Sequence, residues 1–458
     1  MSKKLITELS EILNSDQILT EEEDLRVYGY DGTAILHEKP ACVIFPENPE
    51  QVQSILTKAN RFEIPVVTRG SGTGLSGGSI PVANGIVICM VRMNRILEVD
   101  EKNMVMEVEP GVLTQQIADR ATLVGLFYPP DPGSIKISTI GGNIANNSGG
   151  LRGLKYGVTR DYVMALEVVM PDGRILKTGT RCVKDVAGYS LKDLFVGSEG
   201  MLGVITKITL KLIPKPSAKK TMLVLFDSMT VAAEAVSMII ENKIIPCTLE
   251  FLDRVTIECV EEYARIGLPT DCEAVLLAEV DGHSAEVADT ADQIVSLVRS
   301  KGAREVRIAE SESEALALAS ARRTAFSALA RLAPTVVLED VTVPRSKLAE
   351  MVQYINDVAT RYNLRVGTFG HMGDGNLHPT FLCDEQNEEE MHRVEEAMSL
   401  VFGHAISLGG TITGEHGVGL AKKPFLPGQL GEIGIEVMRQ VKHAFDPNGI
   451  LNPGKVFD

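Results

Sequence analysis

Two histidines lie symmetrically around an Asp-Gly pair in the segment Gly367-Thr-Phe-Gly-His-Met-Gly-Asp-Gly-Asn-Leu-His-Pro379. Asp-Gly tolerates positive φ at both centres of a two-residue type I′ turn, so this segment is predicted to form a β-hairpin. In that hairpin His371 faces His378, with Cβ atoms about 4.5–5.5 Å apart, which suits imidazoles that share a cation. Asn376 lies on their face because side chains alternate along a strand, and Gly373 leaves room for something small. The alternative is a turn that carries two ordinary histidines.

A second group, Thr413-Gly-Glu-His-Gly-Val-Gly419, supplies a carboxylate and an imidazole among glycines that permit unusual backbone dihedrals. Neighbouring side chains diverge on a strand and lie about 100° apart on a helix, so only one of the two is expected to join a metal. Two histidines and a glutamate are a frequent catalytic set for a divalent ion, and a further histidine suits a general base. We predict His371, His378 and Glu415 as ligands of Zn, Fe or Mn, and His416 as the base. The alternative for the second group is a structural role in capping and hydrogen bonding.

The composition limits the classes of function. The chain has 458 residues, enough for more than one hydrophobic core, and a formal net charge of −16. Because its basic residues are scattered, neither nucleic acid nor an anionic membrane is an expected partner. Its seven cysteines include no C-x-x-C pair, which argues against the usual iron–sulfur and zinc-ribbon spacings and favours a reducing compartment. With no apolar run of membrane-spanning length and no secretory signal, the cytoplasm is the expected location.

The hydrophobic periodicity changes along the chain. Residues 1–37 are predicted as an N-terminal helical segment that opens with an amphipathic helix over residues 4–14. Residues 38–216 are predicted as a domain of alternating strands and helices, with a helix over residues 49–60, that ends at a proline pair. Residues 217–412 show strands followed by long helices, which is typical of an α+β domain with an antiparallel sheet covered on one face. Residues 413–458 contain a helix with a strong stop at Asp446-Pro-Asn-Gly449.

Three glycine-rich stretches occur in the region 38–216. Residues 68–78 follow a predicted strand, and their closely spaced amides can form a nest for phosphate groups. This stretch lacks the lysine of a P-loop and the spacing of a Rossmann fingerprint, and its alternative is a plain tight turn. Residues 138–150 combine small residues with three asparagines, and residues 197–203 precede an apolar strand. Together the three stretches suggest a dinucleotide that lies extended across the domain.

With these segments in hand, the chain resembles the FAD-linked oxidases of the vanillyl-alcohol oxidase and p-cresol methylhydroxylase superfamily. Within it, the similar branch contains D-lactate dehydrogenase, the glycolate oxidase D-subunit and D-2-hydroxyglutarate dehydrogenase. The resemblance covers essentially the whole chain and implies an α+β fold. It implies a two-part FAD-binding domain of the vanillyl-alcohol oxidase type at 38–216, a ferredoxin-like α+β cap domain for the substrate at 217–412, and a C-terminal segment, 413–458, that returns to the FAD domain.

The resemblance also implies which residues bind FAD. They lie in the glycine-rich stretches, in the proline-framed turn around Asp131 and near the C-terminal end of the sequence: Arg69, Gly70, Ser71, Gly72, Thr73, Gly74, Asp131, Ser134, Thr139, Gly142, Asn146, Gly149, Glu199, Ile205 and Asn452. Arg69 to Gly74 would bind the pyrophosphate, and Asp131 to Ser134 with Thr139 to Gly150 would line the flavin and its phosphates. Glu199 and Ile205 would reach the adenosine end, and Asn452 would approach the ring. Relatives with covalent FAD use a histidine in the first stretch. Because no histidine lies between His37 and His283, FAD is expected to be non-covalent.

The resemblance and the residues together predict hydride transfer from a 2-hydroxy acid to FAD. The metal would bind the hydroxyl and carboxylate oxygens of the substrate, and His416 would take the hydroxyl proton. Arg322 matches the carboxylate-binding arginine of this branch, with the adjacent Arg323 as one alternative and a solvated basic pair on a helix as the other. Asn376 completes the predicted catalytic residues. D-lactate is the expected substrate and glycolate the next, because 2-hydroxyglutarate would need a second cationic group.

Electrons must then leave for an external acceptor, because the chain has no cysteine set for an iron–sulfur relay. The expected acceptor is an electron-transfer flavoprotein, a partner iron–sulfur subunit, a quinone or oxygen. The alternatives to this function are a D-2-hydroxyglutarate dehydrogenase, a non-redox FAD enzyme resembling alkyl-dihydroxyacetone-phosphate synthase, a non-catalytic flavoprotein subunit and a metal-dependent hydrolase.

Overall fold

The structure is a computed structural model that describes residues 2–33 and 35–457, without the side chains of Ser2, Lys3, Ser320 and Ala321. Met1, Ala34 and Asp458 of the predicted terminal segments lie outside the described residues. The chain divides into two compact units. Unit 1 comprises Met1–Ser148, Val158–Lys215 and Glu415–Asp458, and unit 2 comprises Gly149–Gly157 and Pro216–Gly414.

The elements are numbered in chain order. The strands are β1 Ile18–Leu19, β2 Cys42–Ile44, β3 Val66–Arg69, β4 Ile86–Cys89, β5 Ile96–Asp100, β6 Val105–Val108, β7 Leu126–Phe127, β8 Val163–Val169, β9 Ile175–Gly179, β10 Val204–Lys211, β11 Ile213–Pro214, β12 Ala218–Phe226, β13 Thr248–Asp253, β14 Ala274–Gly282, β15 Glu305–Ile308, β16 Thr335–Leu338, β17 Val341–Thr342, β18 Arg365–Gly370 and β19 Asn376–Cys383. The helices are α1 Ser2–Leu9, α2 Glu22–Val27, α3 Pro49–Arg61, α4 Thr114–Leu123, α5 Ile140–Asn146, α6 Gly153–Tyr156, α7 Lys192–Phe195, α8 Met229–Glu241, α9 Arg254–Ala264, α10 Ser284–Ser300, α11 Glu312–Leu329, α12 Leu348–Arg361, α13 Glu388–Ser407 and α14 Leu426–Phe445.

The first sheet of unit 1 has the order β1-β2-β4-β3, with β2, β4 and β3 parallel and β1 antiparallel at the edge. The helix α3 that precedes β3 begins at Asn48, whose side chain accepts a hydrogen bond from Gln51 N, and has a proline in its first turn. Its buried side chains Val52, Ile55 and Leu56 share a core with β2, β3 and β4. The sheet therefore holds β3 in place up to Arg69, where the first glycine-rich stretch begins.

The segment Glu415–Asp458 completes unit 1 from the far end of the sequence. Leu451 forms a parallel bridge with Val66 of β3, and Asn452 N donates to Val66 O at 2.7 Å. Ile450 and Leu451 are buried in the core of the first sheet. The second sheet of the unit is antiparallel, with the order β5-β6-β10-β8-β9, and β7 pairs with β11.

Unit 2 contains one large sheet with the order β15-β12-β14-β13-β18-β19-β16, and β17 pairs with β19. Its first half, β12 to β15, is antiparallel and places the strands in the order fourth, first, third, second, which is the ferredoxin-like arrangement. The sheet is covered on both faces rather than one. Leu223 and Leu225 pack with residues of α9 and α11, while the alternate position Val224 is also buried and β12 contacts α8 and α10.

The N-terminal helix is shorter than the apolar spacing over residues 4–14 predicts, because α1 ends at Leu9. The helix predicted over residues 49–60 is confirmed as α3. Among the residues that the structure describes, no helix is long and apolar enough to cross a membrane.

Candidate active site

His371 and His378 lie side by side in unit 2. Their ring centroids are 5.3 Å apart with the ring planes at 89°, and the two residues are 5% and 2% exposed. His378 belongs to β19, and His371 directly follows β18, which pairs antiparallel with β19. Two buried imidazoles at this separation are suited to share a cation.

The connection between these strands is not the predicted two-residue type I′ turn. It runs from His371 to Gly375 through a 3₁₀ turn, and of its residues only Gly375 has a positive φ, 93°. The residue opposite His378 in the ladder is Phe369, so the prediction that His371 faces His378 across the hairpin is wrong. The imidazoles meet because the longer loop folds back, with the carbonyl of His371 accepting a hydrogen bond from Asn376 N at 3.1 Å.

The space expected at Gly373 is filled. A Cβ atom built on Gly373 would lie 2.5 Å from Leu154 Cδ2 and 3.0 Å from Leu249 Cβ. The glycine therefore allows the turn to pack closely against two apolar side chains of unit 2, and it leaves no room for a ligand.

The carboxylate of Glu250 joins His371 to Arg322. Its Oε1 lies 2.8 Å from His371 Nδ1 and its Oε2 lies 2.5 Å from Arg322 Nε, and none of the three side chains is more than 7% exposed. Glu250 lies on β13, which pairs with β18 through Phe251 and Gly370, so the sheet brings the acid to the histidine. A carboxylate at Nδ1 fixes the orientation and tautomer of an imidazole and leaves Nε2 for a ligand. The structure thus brings the predicted arginine, Arg322, into the histidine cluster.

A second buried carboxylate, Asp340, lies beside the other histidine. Its Oδ1 is 3.9 Å from His378 Nδ1 and accepts a hydrogen bond from Asn376 Nδ2 at 2.5 Å. Its Oδ2 accepts hydrogen bonds from Thr413 Oγ1 at 2.7 Å and from Gly414 N at 2.9 Å. Asp340 is fully buried, and these bonds offset the cost of a charge in the interior.

The amide of Asn376, a predicted catalytic residue, has a defined orientation. Its Nδ2 donates to Asp340, to Val341 O at 3.2 Å and to Thr342 Oγ1 at 3.0 Å. Because a carboxylate and a carbonyl only accept, the NH₂ group must face them and Oδ1 must face away. Within the part of the chain that the structure describes, the buried Oδ1 has no hydrogen-bond partner. An acceptor of this kind is costly unless a ligand donates to it.

Sequence reasoning misses Glu250 and Asp340. Each acid lies within an otherwise apolar run that predicts a buried strand, Thr248–Asp253 for Glu250 and residues 336–343 for Asp340. Acids are rarely buried without a partner, so an acid at the centre of such a run is the sequence signal that could have identified both residues.

Glu415 and His416 directly follow Gly414 and begin the last segment of unit 1. His416 Nε2 lies 3.9 Å from Glu415 Oε1. The backbone carbonyl of His416 accepts a hydrogen bond from Asn146 Nδ2 at 3.3 Å, so the predicted base is attached through its backbone to a residue of the second glycine-rich stretch.

The first glycine-rich stretch has the properties of a phosphate site. The backbone amides of residues 71–78 donate no hydrogen bond within the described part of the chain. Gly72 has a φ of 73°, and a Cβ atom on Gly70 would lie 2.0 Å from Thr139 Oγ1, so both positions require glycine. Successive free amides after a parallel strand suit a pyrophosphate. Ser71, Thr73 and Gly74 belong to this run.

Arg69 supports the stretch through contacts within the protein. Its Nη1 donates to Tyr30 O at 2.5 Å, and its guanidinium carbon lies 5.7 Å from the centroid of the Tyr28 ring. The residue is 7% exposed, and burial lowers the pKa of the guanidinium.

The other residues predicted to contact FAD lie in or next to α5, in the proline-framed turn, in β10 and in the short piece of unit 2 before α6. Thr139 precedes α5, Gly142 and Asn146 lie within α5, and Asp131 is buried in the proline-framed turn that includes Ser134. Ile205 is buried in β10 next to a bulge. Gly149 belongs to unit 2. Their contacts with FAD stay predictions.

Glu199 and Asn452, two of these residues, form side-chain hydrogen bonds within unit 1. Glu199 accepts hydrogen bonds from Val418 N at 2.7 Å and from Gly419 N at 2.8 Å. Asn452 Nδ2 donates to Glu199 O at 2.6 Å and to Gly78 O at 2.9 Å. The third glycine-rich stretch and the C-terminal segment are thus bonded to the first stretch.

Two known protein families match most of the chain. The family described as FAD binding domain matches residues 40–179, and the family described as FAD linked oxidases, C-terminal domain, matches residues 215–456. A solved structure of p-cresol methylhydroxylase with substrate bound has a TM-score of 0.83 at 19% identity, covering 100% of this chain and 97% of that one. For alkyldihydroxyacetonephosphate synthase the TM-score is 0.78 at 19% identity, with 99% and 86% covered. These likenesses show the fold, which is of the vanillyl-alcohol oxidase type.

Curated relatives extend over the same length. Glycolate oxidase subunit GlcD of Bacillus subtilis (strain 168) is 54% identical over 431 residues, covering 94% of this chain and 92% of the relative. D-lactate dehydrogenase of Anaerostipes hadrus is 37% identical over 455 residues, covering 96% and 94%. The free amides of residues 71–78 fit the cofactor that these families share. The chain therefore belongs to the FAD-linked oxidases, a family of oxidoreductases, in the branch that includes glycolate oxidase subunits and D-lactate dehydrogenases.

Proposed function

We propose that the protein is an FAD- and metal-dependent D-2-hydroxyacid dehydrogenase that converts a small 2-hydroxy acid, D-lactate first and glycolate next, to the 2-oxo acid. The relatives named glycolate oxidase subunit and D-lactate dehydrogenase support this reaction class. The observation that carries the site is the buried pair His371 and His378, each with a carboxylate near its Nδ1.

The charges of this cluster support a bound cation. Glu250 and Asp340 are fully buried acids beside the two histidines, and Arg322 contacts Glu250. Carboxylates are costly in the interior, and a bound cation would offset that cost and attract an anionic substrate. We assign His371 and His378 as ligands of a divalent ion, Zn, Fe or Mn, with the neighbouring carboxylates orienting their rings.

Glu415 is proposed as the third ligand because of its place in the chain. Gly414 donates its backbone N–H to Asp340 at 2.9 Å, and a Cβ atom built on Gly414 would lie 2.6 Å from Asn376 Nδ2. Consecutive Cα atoms are about 3.8 Å apart, so Glu415 starts one residue from the cluster. Two histidines and one glutamate leave coordination positions open for a substrate.

Each group at the site has a separate proposed role in the oxidation. Bound FAD supplies the acceptor for the hydride, and a divalent ion would supply Lewis acidity. His416 takes the proton of the substrate hydroxyl on a ring nitrogen. Arg322 binds the substrate carboxylate, and the buried Oδ1 of Asn376 accepts a hydrogen bond from the hydroxyl, which orients it until the proton is transferred.

Unit 1 is proposed as the FAD domain and unit 2 as the substrate domain, with residues 71–78 at the pyrophosphate. The remaining residues predicted to contact FAD are proposed to line the cofactor, which binds non-covalently because no histidine lies between His37 and His283. The electrons pass to an external acceptor, for which an iron–sulfur partner subunit, an electron-transfer flavoprotein or a quinone is proposed. The cytoplasm is the proposed location.

Anaerobic titration of the purified FAD-bound protein tests the reaction. D-lactate should bleach the flavin absorbance, glycolate should do so more weakly, and L-lactate should not. Bleaching by D-2-hydroxyglutarate in preference to D-lactate would replace the proposed substrate. A flavin that none of these acids reduces would overturn the proposal and favour a non-redox reaction.

A further inference from the structure

The segment 415–421, which carries the proposed base, is attached to separate parts of unit 1. Ser76 Oγ donates to Gly417 O at 2.9 Å, and Ser76 O accepts hydrogen bonds from two later amides of the segment at 2.8 and 3.1 Å. Asn146 Nδ2 donates to His416 O at 3.3 Å. Ser76 belongs to the first glycine-rich stretch and Asn146 to the second.

Glu199, from the third glycine-rich stretch, completes the attachment. Its Oε1 accepts a hydrogen bond from Val418 N at 2.7 Å and its Oε2 from Gly419 N at 2.8 Å. A Cβ atom on Gly417 would lie 3.0 Å from the carboxylate, so the segment lies directly against it. Glu199 is 8% exposed and its backbone has a φ of 49°, an uncommon conformation for a residue other than glycine.

A carboxylate is the side chain that this contact requires. Two backbone N–H groups point at two different oxygens, and an ionised carboxylate accepts from both. Glutamine has one oxygen, so its NH₂ group would face the second N–H donor. Burial raises the pKa of Glu199, whereas the two N–H donors lower it, so the pair of hydrogen bonds favours the ionised form that binds the segment.

We infer that Glu199 is a positioning residue for the dehydrogenase reaction, because it holds the backbone amides of Val418 and Gly419 and thereby helps to orient His416, two residues earlier. The role of His416 rests on the proposed function, whereas the attachment of the segment does not. The three stretches that are proposed to hold FAD therefore also hold the segment that carries the base.

Hydrogen–deuterium exchange of the FAD-bound protein tests the attachment without turnover. Glu199→Gln should make the amides of residues 416–421 exchange about 10- to 100-fold faster, because the segment loses one hydrogen bond to a charged group. Glu109→Gln is the matched control, since Glu109 is another buried glutamate of unit 1 and its carboxylate binds Arg95 instead. Unchanged exchange at residues 416–421 in Glu199→Gln would overturn the inference.

Kinetics of the same variant separate positioning from cofactor binding. Glu199→Gln should retain its FAD and its KM for D-lactate, with kcat about 10- to 100-fold lower. In a His416→Asn background it should cause no further loss, because a positioning residue acts through the base. Loss of FAD with normal turnover per bound flavin, or a full additional loss in the double variant, would refute the role. If D-lactate reduces no flavin at all, the exchange experiment still decides the attachment, so the two proposals fail separately.

Discussion

Glu250 Oε1 and His371 Nδ1 are 2.8 Å apart, although the two residues are separated by 121 positions in the sequence. The second oxygen of the same carboxylate contacts Arg322. One acid therefore orients an imidazole and balances a guanidinium, and it does so from a strand in the middle of a sheet. A contact built in this way leaves the imidazole little freedom to rotate.

Replacement of this acid should weaken metal binding. In Glu250→Gln the metal affinity should fall about 10- to 100-fold, because the imidazole loses the partner that sets its tautomer and orientation. Metal content after dialysis and competition with a chelator measure the change. Glu279→Gln is the control, since Glu279 lies on the adjacent strand β14 and binds Thr221 Oγ1 at 2.8 Å. Equal metal affinity in the two variants would contradict the role of Glu250.

The proposed ligands should be needed for turnover and not for the flavin. His371→Ala and His378→Ala should each lose the metal and nearly all D-lactate oxidation, while the FAD absorbance per protein stays unchanged. His392→Ala, at a histidine of α13 whose side chain is 71% exposed, should behave as the wild type. The metal role is refuted if wild-type protein stripped of metal turns over at its full rate.

The first glycine-rich stretch should not tolerate a side chain at its start. Gly70→Ala should lower FAD affinity about tenfold or more, because the new Cβ would lie 2.0 Å from Thr139 Oγ1 and would push the stretch away from α5. Fluorescence titration of the apoprotein with FAD measures this affinity. Gly403→Ala, in a helix with open space around the built Cβ, should bind FAD normally and be slightly more stable. FAD binding of wild-type strength in Gly70→Ala would argue against the pyrophosphate site.

The stability of the protein should depend on pH through Asp253. This residue accepts hydrogen bonds from Thr256 N at 2.8 Å and Thr368 N at 2.7 Å, but burial dominates and raises the pKa of Asp253 to about 6. Because the unfolded value is about 3.9, the folded chain binds the proton more tightly. The stability from protonated Asp253, of the order of 3 kcal/mol, is thus present below pH about 4 and is lost as the pH rises through 6.

Thermal unfolding at pH 4, 5, 6 and 7 measures this effect. As the pH rises from 4 to 7, the melting temperature of the wild type should fall relative to that of Asp253→Asn, since the asparagine carries no titratable group. Parallel curves for the two chains across this range would show that Asp253 does not titrate as expected.

The local parts of the site could be predicted from the sequence. The free amides of residues 71–78 follow from glycine spacing after a strand, and the approach of His371 to His378 follows from their closeness in sequence. The turn between the histidines could not be predicted, because its shape depends on Gly373 packing against Leu154 and Leu249. Asp-Gly favours a type I′ turn only when no tertiary contact competes with it.

The supporting residues could not be predicted, because they come from distant strands. Glu250 reaches His371 through the pairing of β13 with β18, and the order of strands in a sheet is not encoded in local periodicity. Glu199 is a similar case. Its stretch predicts a place near the cofactor, yet the carboxylate binds amides that lie 219 and 220 positions later in the chain.

The three-piece construction of unit 1 has a consequence for how the protein is made. Leu451 pairs beside β3, and residues 415–421 bond to all three glycine-rich stretches, so these stretches lack those neighbours until residues 415–458 have been translated. Unit 2 is nearly continuous, from Pro216 to Gly414, and its sheet can form while translation proceeds. The nascent chain should therefore complete the sheet of unit 2 before unit 1, and it should bind FAD only after residues 415–458 have been translated.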